Sequence, residues 1–476
     1  MFSIFRAGYL MRLILPLGLI LLLALSTTSL AFGSSRQISL EQLSQDPYTN
    51  GPPSEHKTQV EPDTFFYGTT IVSAFQSGRF FGGGASNIGW ATSTDDGATW
   101  QNGFLPGTTP YATPPGTYAR LSDPAVSFDA KHNTWLIASL ALNMGARGIA
   151  IIVSQSTDGG LTWNNPVVVA STETSTLDKD WIVCDSTSTS KFYGNCYVEW
   201  DDFGNQSLMQ MSTSSDGGTT WGAAEHTTGK DARGLGGQPL VQPNGTVIVP
   251  YASRSGNISS FSSTNGGKSW NAPVNIAIIQ DHTVAGKMRS EVLPSAEIDG
   301  AGTVYVAWHD CRFENNCSAN DIVYSTSSDG TTWSAIQRIP IDPVNSGVDH
   351  FIPGIAVDTS TSGSKAHIAL TYYYFPNANC STDCQLDVGY ISSINGGASW
   401  SAAQQLAGPM NPTWLANTSE GYMVGDYIST SIVANGSAYP VFAVATPPTA
   451  IGLNEATFTI TGGLPVTGGA ILSSSR

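Results

Sequence analysis

The sequence predicts an all-β fold of repeated four-stranded antiparallel modules, and three observations carry that prediction. A motif of eight residues recurs six times. Stretches rich in Val, Ile, Tyr and Trp flank each copy, separated by Gly, Asn, Asp and Pro turn signals. After the apolar N-terminal segment no sustained helical period appears.

The motif reads STDDGATW at Ser93–Trp100, STDGGLTW at Ser156–Trp163 and SSDGGTTW at Ser214–Trp221. It returns as STNGGKSW at Ser263–Trp270, SSDGTTW at Ser327–Trp333 and SINGGASW at Ser393–Trp400. These residues suit a tight hairpin. Asp or Asn bonds its own backbone two residues on. Gly takes a positive φ freely, and Ser and Thr add side-chain-to-backbone bonds. Trp opens the next strand and buries a large ring. The fifth copy is one residue short between Asp329 and Trp333, which predicts a slightly different turn. The motif is expected to staple hairpins rather than to touch a ligand.

Residues 1–31 have the form of a secretion signal. Arg6 and Arg12 precede the apolar run Leu13–Leu25, and Ser29-Leu30-Ala31 offers a small-residue cleavage site. An uncleaved membrane anchor is the rival reading. Residues 32–59 read as a polar arm or linker, and the repeats fill 60–461. In the second repeat the expected strands are Asp123–Phe128, Thr134–Leu142, Gly148–Ser154 and Trp163–Ala170. In the fifth they are Leu293–Ile298, Thr303–Trp308, Asp321–Thr326 and Trp333–Ile339. Four antiparallel strands per repeat make a β-propeller blade. Ile428–Ala434 and Tyr439–Ala445 belong to a last unit without the motif. It is either a seventh blade or the closure of a six-bladed ring with a strand near Thr64–Phe75. Dividing 60–461 by seven gives about 57 residues, within the motif spacing of about 50 to 67, so seven blades are preferred and six are the alternative. Residues 462–476 read as a flexible tail. Leu464-Pro465-Val466-Thr467-Gly468 spells a sortase-like signal, but too little chain follows for a membrane-length segment, so it is read as coincidence.

The chain has 36 Asp and Glu against 20 Lys and Arg, a formal net charge of −16. That excess argues against a nucleic-acid backbone or an anionic membrane surface as partner. The cysteines fall in near-neighbour pairs, Cys184/Cys196, Cys311/Cys317 and Cys380/Cys384. With an export signal they read as local disulfides, and they lack zinc-type spacing. Asp201-Asp202 and Asp178/Asp180 offer hard oxygen ligands, but no EF-hand or zinc pattern accompanies them, so no metal and no cofactor are assigned. A secreted or cell-surface monomer is expected.

The repeated motif resembles the Asp-box, or BNR repeat, of the sialidase superfamily. The resemblance covers the scaffold over most of the chain and the site only in fragments. It implies a propeller with the boxes on one rim and functional loops on the other. It also implies three arginines on a sugar carboxylate, a Tyr nucleophile activated by a Glu, and an Asp acid/base. Gly237–Arg254 resembles the segment that ends in the second arginine, with Gln238 in place of the Glu. Glu291 opens a comparable segment that ends at Arg312. Arg338-Ile339-Pro340 spells the first-arginine motif but falls on an outer strand, so Arg120 in RLSDP is preferred, with Asp123 as the acid. Arg289 adds a further guanidinium. Tyr427 is the candidate nucleophile, and Tyr422, Asp426 and His309 are further rim candidates.

Three functions fit these residues, with a glycan or glycoconjugate as the main partner. The first is an exo-glycosidase cleaving a terminal acidic sugar such as sialic acid. The second is a uronic-acid polysaccharide lyase, with His226, His282, His309 or His350 as base. The third is a non-catalytic propeller that binds glycans or proteins at the cell surface.

Overall fold

The computed structural model describes residues 38–48, 54–450 and 452–469. The expected secretion signal and cleavage site lie outside these residues, as do parts of the expected arm and tail. Among the described residues the helices are single 3-10 turns of three residues, and the remainder is strand and loop. No described helix is long and apolar enough to cross a membrane.

The strands form consecutive antiparallel groups. The first contains Ser54–Tyr67, Thr70–Phe80, Ala85–Ser93 and Gln101–Phe104. The second contains Arg120–Asp129, Thr134–Leu142, Gly148–Ser156 and Val167–Ser171. Leu177–Cys184, Cys196–Asp202 and Leu208–Ser214 follow, with Glu225 bridging to Met211 outside them. The fourth group runs Leu240–Val241, Val247–Ser253, Asn257–Ser263 and Val274–Ile278. The fifth runs Ser295–Ile298, Val304–Asp310, Asp321–Ser327 and Gln337–Arg338. The sixth runs Asp349–Val357, Ile368–Phe375, Leu386–Ser393 and Gln404–Met410. Last come Ser429–Ile432, Ser437–Ala445 and Glu455–Ile460.

Segments near both limits of the described residues are built into this last group. From the expected arm, Leu40–Gln42 pairs with Glu455–Ile460. From the expected tail, Leu464–Pro465 pairs with Ser437 and Ala438. Ser392 Oγ and Thr467 exchange bonds of 3.0 Å, so the sortase-like stretch lies against the sixth group.

Face-to-face stacking explains the burial. Second and third strands are buried on both faces, as in Thr134–Leu142, whereas the outermost Val167–Ser171 is mostly exposed or half-buried. Between the second and third groups, for example, Leu140 and Ile151 pack against Trp181, Val198 and Trp200. Each first strand contacts the next first strand in chain order, and Ser429–Ile432 contacts both Asp349–Val357 and Ser54–Tyr67.

The six motifs each close the turn after a third strand, and their bonding repeats. Ser93 Oγ donates to Asp95 Oδ1 (2.8 Å) and accepts from Gly97 N–H (2.8 Å). Asp95 accepts from Thr99 N–H (2.8 Å) and Thr99 Oγ1 (2.7 Å). The Asp thus reaches four residues on, not the two expected. In the short fifth copy it does contract, with Asp329 Oδ1 accepting from Thr331 and Thr332 N–H. Where Asn replaces Asp the outer bond reverses: Asn265 Nδ2 donates to Ser269 Oγ (2.7 Å) and Asn395 Nδ2 to Ser399 Oγ (2.8 Å).

Trp163, expected to open a strand, precedes it by four residues because its Nε1 turns back to Gly160 O (3.0 Å). The motifs also join neighbouring groups: Thr92 Oγ1 donates to Gly159 O (2.7 Å) and Gln155 Nε2 to Gly217 O (2.6 Å). All three expected disulfides form, Cys184–Cys196, Cys311–Cys317 and Cys380–Cys384.

Candidate functional site

Antiparallel strands alternate in direction, so the starts of the first strands lie at the end of the sheets opposite the motifs. Near those starts, four first strands carry a bulge. The register shifts at Val60/Asp63, Ser122/Ala125, Asp178/Asp180 and Phe351/Gly354. Each bulge holds a non-glycine residue in the left-handed region: Glu61 (φ 54°), Asp123 (52°), Lys179 (30°) and Ile352 (49°). A bulge re-aims a side chain, and such backbone costs of order 1–3 kcal/mol per residue. In the first three groups the re-aimed residue is charged and buried.

Asp123 and Lys179 share a pocket of about 210 Å³ with Arg79, Asp178, Arg289, Glu420 and Asp426. A larger cavity of about 290 Å³ lies among the far ends of the first strands. Its lining has one carboxyl, Glu297, and no basic side chain, so the chemistry gathers at the smaller pocket.

Arg289 grips Asp426 through two bonds, Nε to Oδ1 at 2.6 Å and Nη2 to Oδ2, and its Nη1 lies 2.5 Å from Glu420 Oε2. Burial works to raise Asp426, but the Arg289 guanidinium outweighs it and holds the carboxyl below its ordinary range. Gly425 makes this placement possible. Its φ is 135°, and a Cβ there would lie 2.7 Å from the Glu61 backbone. The close approach lets Asp426 N–H reach Glu61 Oε1 (3.2 Å). Burial, then the charges of Asp426 and Asp123, push Glu61 well up.

Arg79 is buried, and its Nη1 donates to the carbonyls of Phe80 (3.1 Å) and Gly84 (2.7 Å). Asp178 is pushed up to about 7, by burial first and then by Asp123. Burial pushes Glu199, directly behind, up to about 8, and both its oxygens lack a hydrogen-bond partner. Asp180 and Asp201 are raised for the same first reason.

The structure brings some of the sequence-derived residues together and leaves others apart. Asp123, Arg289 and Asp426 line the pocket. Glu291 does not line it, but partial burial and then the charges of Asp426 and Glu420 weaken it as an acid. Tyr427 is close but closed: it is 6% exposed and its hydroxyl donates to Pro124 O at 2.9 Å. Arg120 donates to Gly83 O (3.0 Å) and Met144 O (3.2 Å) and lies 4.2 Å over the Phe80 ring. Arg312 is bound to Asp310 through Nε (2.7 Å) and Nη2 (2.7 Å). Arg254 is exposed in the turn between the second and third strands of the fourth group.

Tyr422 lines a separate hollow with Ser54 and His56. His309 is buried in a second strand, its Nδ1 unpartnered, and burial holds it down to about 4. The four arginines therefore form no common fork. Arg338, set aside as an outer-strand residue, is ion-paired with Asp321 (2.6 Å) and Asp342 (2.6 Å). Sequence marks Asp178 only as a candidate hard-oxygen ligand beside Asp180, and no motif marks Arg79, Lys179 or Glu61.

A family model described as BNR repeat-like domain matches residues 136–354. No curated protein matches the chain. Among solved structures, a polysaccharide lyase, ulvan lyase PL25 bound to -[GlcA(1-4)Rha3S]-, is similar with TM-score 0.51 and 10% identity, covering 90% of this chain and 97% of that one. The Hadza microbial sialidase Hz136 is similar with TM-score 0.46 and 14% identity, covering 85% and 66%. The NanB sialidase from Streptococcus pneumoniae follows with TM-score 0.43 and 15% identity, covering 84% and 67%. The chain thus spans about two thirds of the sialidase chains it is similar to. Six Asp-boxes thus form, residues 136–354 match a BNR repeat-like domain, and the all-β fold of the chain is similar to that of the PL25 ulvan lyase.

Proposed function

We propose that this is a secreted carbohydrate-active propeller whose pocket hydrolyses the glycosidic bond of a terminal acidic sugar. Seven blades are part of the reading. Seven first strands contact one another in order and the last meets the first, while Leu40–Gln42 supplies the outer strand of the last blade. Three disulfides support export.

The observation that carries the reading is a pair of carboxyls set apart in one pocket. Asp178, at about 7, keeps a proton to give, and Asp426 is kept ionised by Arg289. Two acids driven apart by their surroundings are the signature of an acid and a charge stabiliser. Asp178 protonates the leaving oxygen as the glycosidic bond breaks, Asp426 stabilises the positive charge that develops on the sugar ring, and water then adds to that carbon and returns a proton to Asp178. Asp123 supports the first role, since its charge helps raise Asp178. Tyr427 takes no nucleophilic part here, because its hydroxyl is committed to Pro124. The lining contains no histidine, which disfavours a lyase base.

The closure of Arg289 by Asp426 and Glu420 favours a second reading, glycan binding without turnover. A panel of acidic and neutral glycosides separates the two. Release of a terminal sugar, falling as pH rises through about 7 and reduced about 10²- to 10⁴-fold by Asp178→Asn, is the expected result. Binding without release from any glycoside would favour the second reading.

A further inference from the structure

We propose that Lys179 is the residue that anchors the anionic group of a sugar in the central pocket, which rests on the reading that this pocket takes a sugar. The sequence directs attention to guanidinium forks for that task. In the structure these forks are closed by partners or lie away from the pocket. Arg289 is closed by Asp426 and Glu420. Arg79 donates to two carbonyls. Arg120, Arg254 and Arg312 do not line the pocket.

Lys179 differs on every count. It lines the pocket while only 5% exposed, and a strained bulge at φ 30° sets its direction. Its Nζ sits 4.4 Å from the Trp181 ring and 4.0 Å from the Tyr427 ring. The hydrogen bond it makes is long, 3.4 Å to Asp180 O, and among the described residues no carboxylate oxygen lies within 4.0 Å. An ammonium carries three donors, so capacity remains for a ligand.

The carboxyls whose field it feels make no contact with it within 4.0 Å, and burial pushes Asp180 and Glu199 toward their neutral forms. A cation in a water-poor site without an oxyanion in contact is unfavourable alone, and an arriving ligand oxyanion supplies that contact. The ligand chemistry is one compact oxyanion on a sugar, a carboxylate or a sulfate ester. A point charge suits it, with no bidentate geometry required.

Calorimetric titration with glucuronate, N-acetylneuraminate, glucose 6-sulfate and glucose tests this. The acidic sugars should bind at least tenfold more tightly than glucose, and the sulfate and carboxylate arms identify the group. Lys179→Met should weaken the preferred acidic sugar about 10- to 100-fold and leave glucose unchanged. Lys179→Arg should recover most of the affinity, since the flanking rings also accept a guanidinium. Melting temperature checks each fold, and Lys179→Gln serves if the Met variant fails to fold. Equal binding of acidic and neutral sugars, no binding of any acidic sugar, or an unchanged affinity in a folded Lys179→Met or Lys179→Gln would overturn the assignment. Hydrolysis of neutral glycosides by the wild type, undiminished in the Met variant, would overturn it while leaving the glycosidase reading standing.

Discussion

Asp95, Asp158 and Asp216 sit in exposed hairpins at one end of the sheets, while Asp178 and Glu199 lie in or behind the pocket at the other. The first three are held below the usual carboxylate range. For Asp95 the Thr99 hydroxyl is the leading cause; for Asp158 and Asp216 partial burial works upward, and the hydroxyl and N–H of Thr162 and Thr220 outweigh it. The other two are pushed up to about 7 and about 8 by burial. The same functional group is thus driven both ways within one repeat architecture. The turn supplies donors and keeps the charge, whereas the axis removes water and supplies few donors. Stability is built at the first end, and the proposed proton donor sits at the second.

The comparison can be broken most severely at the Arg289–Asp426 ion pair in the pocket. Arg289→Met should leave Asp426 buried and uncompensated, at roughly 3–5 kcal/mol. The double variant Arg289→Met/Asp426→Asn should recover most of that in a denaturant titration. If the single and double variants are equally destabilised, the pair is not what holds the pocket.

The opposite shifts give opposite pH dependences. A raised carboxyl keeps its proton in the fold while the unfolded chain loses it. Stability from Glu199 is therefore fully present below its ordinary range and falls as pH rises to about 8. The slope is on the order of 1 kcal/mol per pH unit for each retained proton. Glu199→Gln should flatten that fall in melting temperature between pH 5 and 8. The motif aspartates act in reverse: their contribution is present above their ordinary range and is lost as pH falls through their depressed values, so melting temperature should drop again in strong acid.

Smaller effects belong to single motifs. Asp158→Ala removes the acceptor for Leu161, Thr162 and Ser156 and should cost about 1 kcal/mol. Asp158→Asn should cost less than about 0.5 kcal/mol, because Asn265 and Asn395 already do that work with a reversed bond to Ser269 and Ser399. Chemical-denaturation midpoints of the two variants would separate them.

The same contrast explains what could be read from sequence. Turn chemistry is local, so the motifs, the contracted fifth copy and the Asp/Asn exchange were legible. Strands such as Thr134–Leu142 fell where alternating apolar runs between turn signals placed them. Disulfides were legible from spacing and the expected export. The site was not, because reaching the axis depends on radial position and on bulges. Arg254 and Arg312 lie just beyond second strands, a strand spacing of about 4.8 Å outward, and find other partners or solvent. Glu61 and Lys179 enter because a bulge turns them inward, and no Gly or Asn marks their left-handed backbone. Asp123, named for its place after Arg120, and Asp426, named from the stretch before the last group, line the pocket with Arg289. No sequence signal marks the closure of Arg289 by Asp426 and Glu420.

Site-resolved titration of the carboxyl carbons by nuclear magnetic resonance tests the central claim most directly, that one repeat architecture lowers its motif aspartates at one end and raises Asp178 at the other. The account predicts a midpoint near 7 for Asp178 and midpoints below the ordinary carboxylate range for Asp95, Asp158 and Asp216. Titration of Asp178 alongside the motif aspartates, within the ordinary carboxylate range, would contradict it.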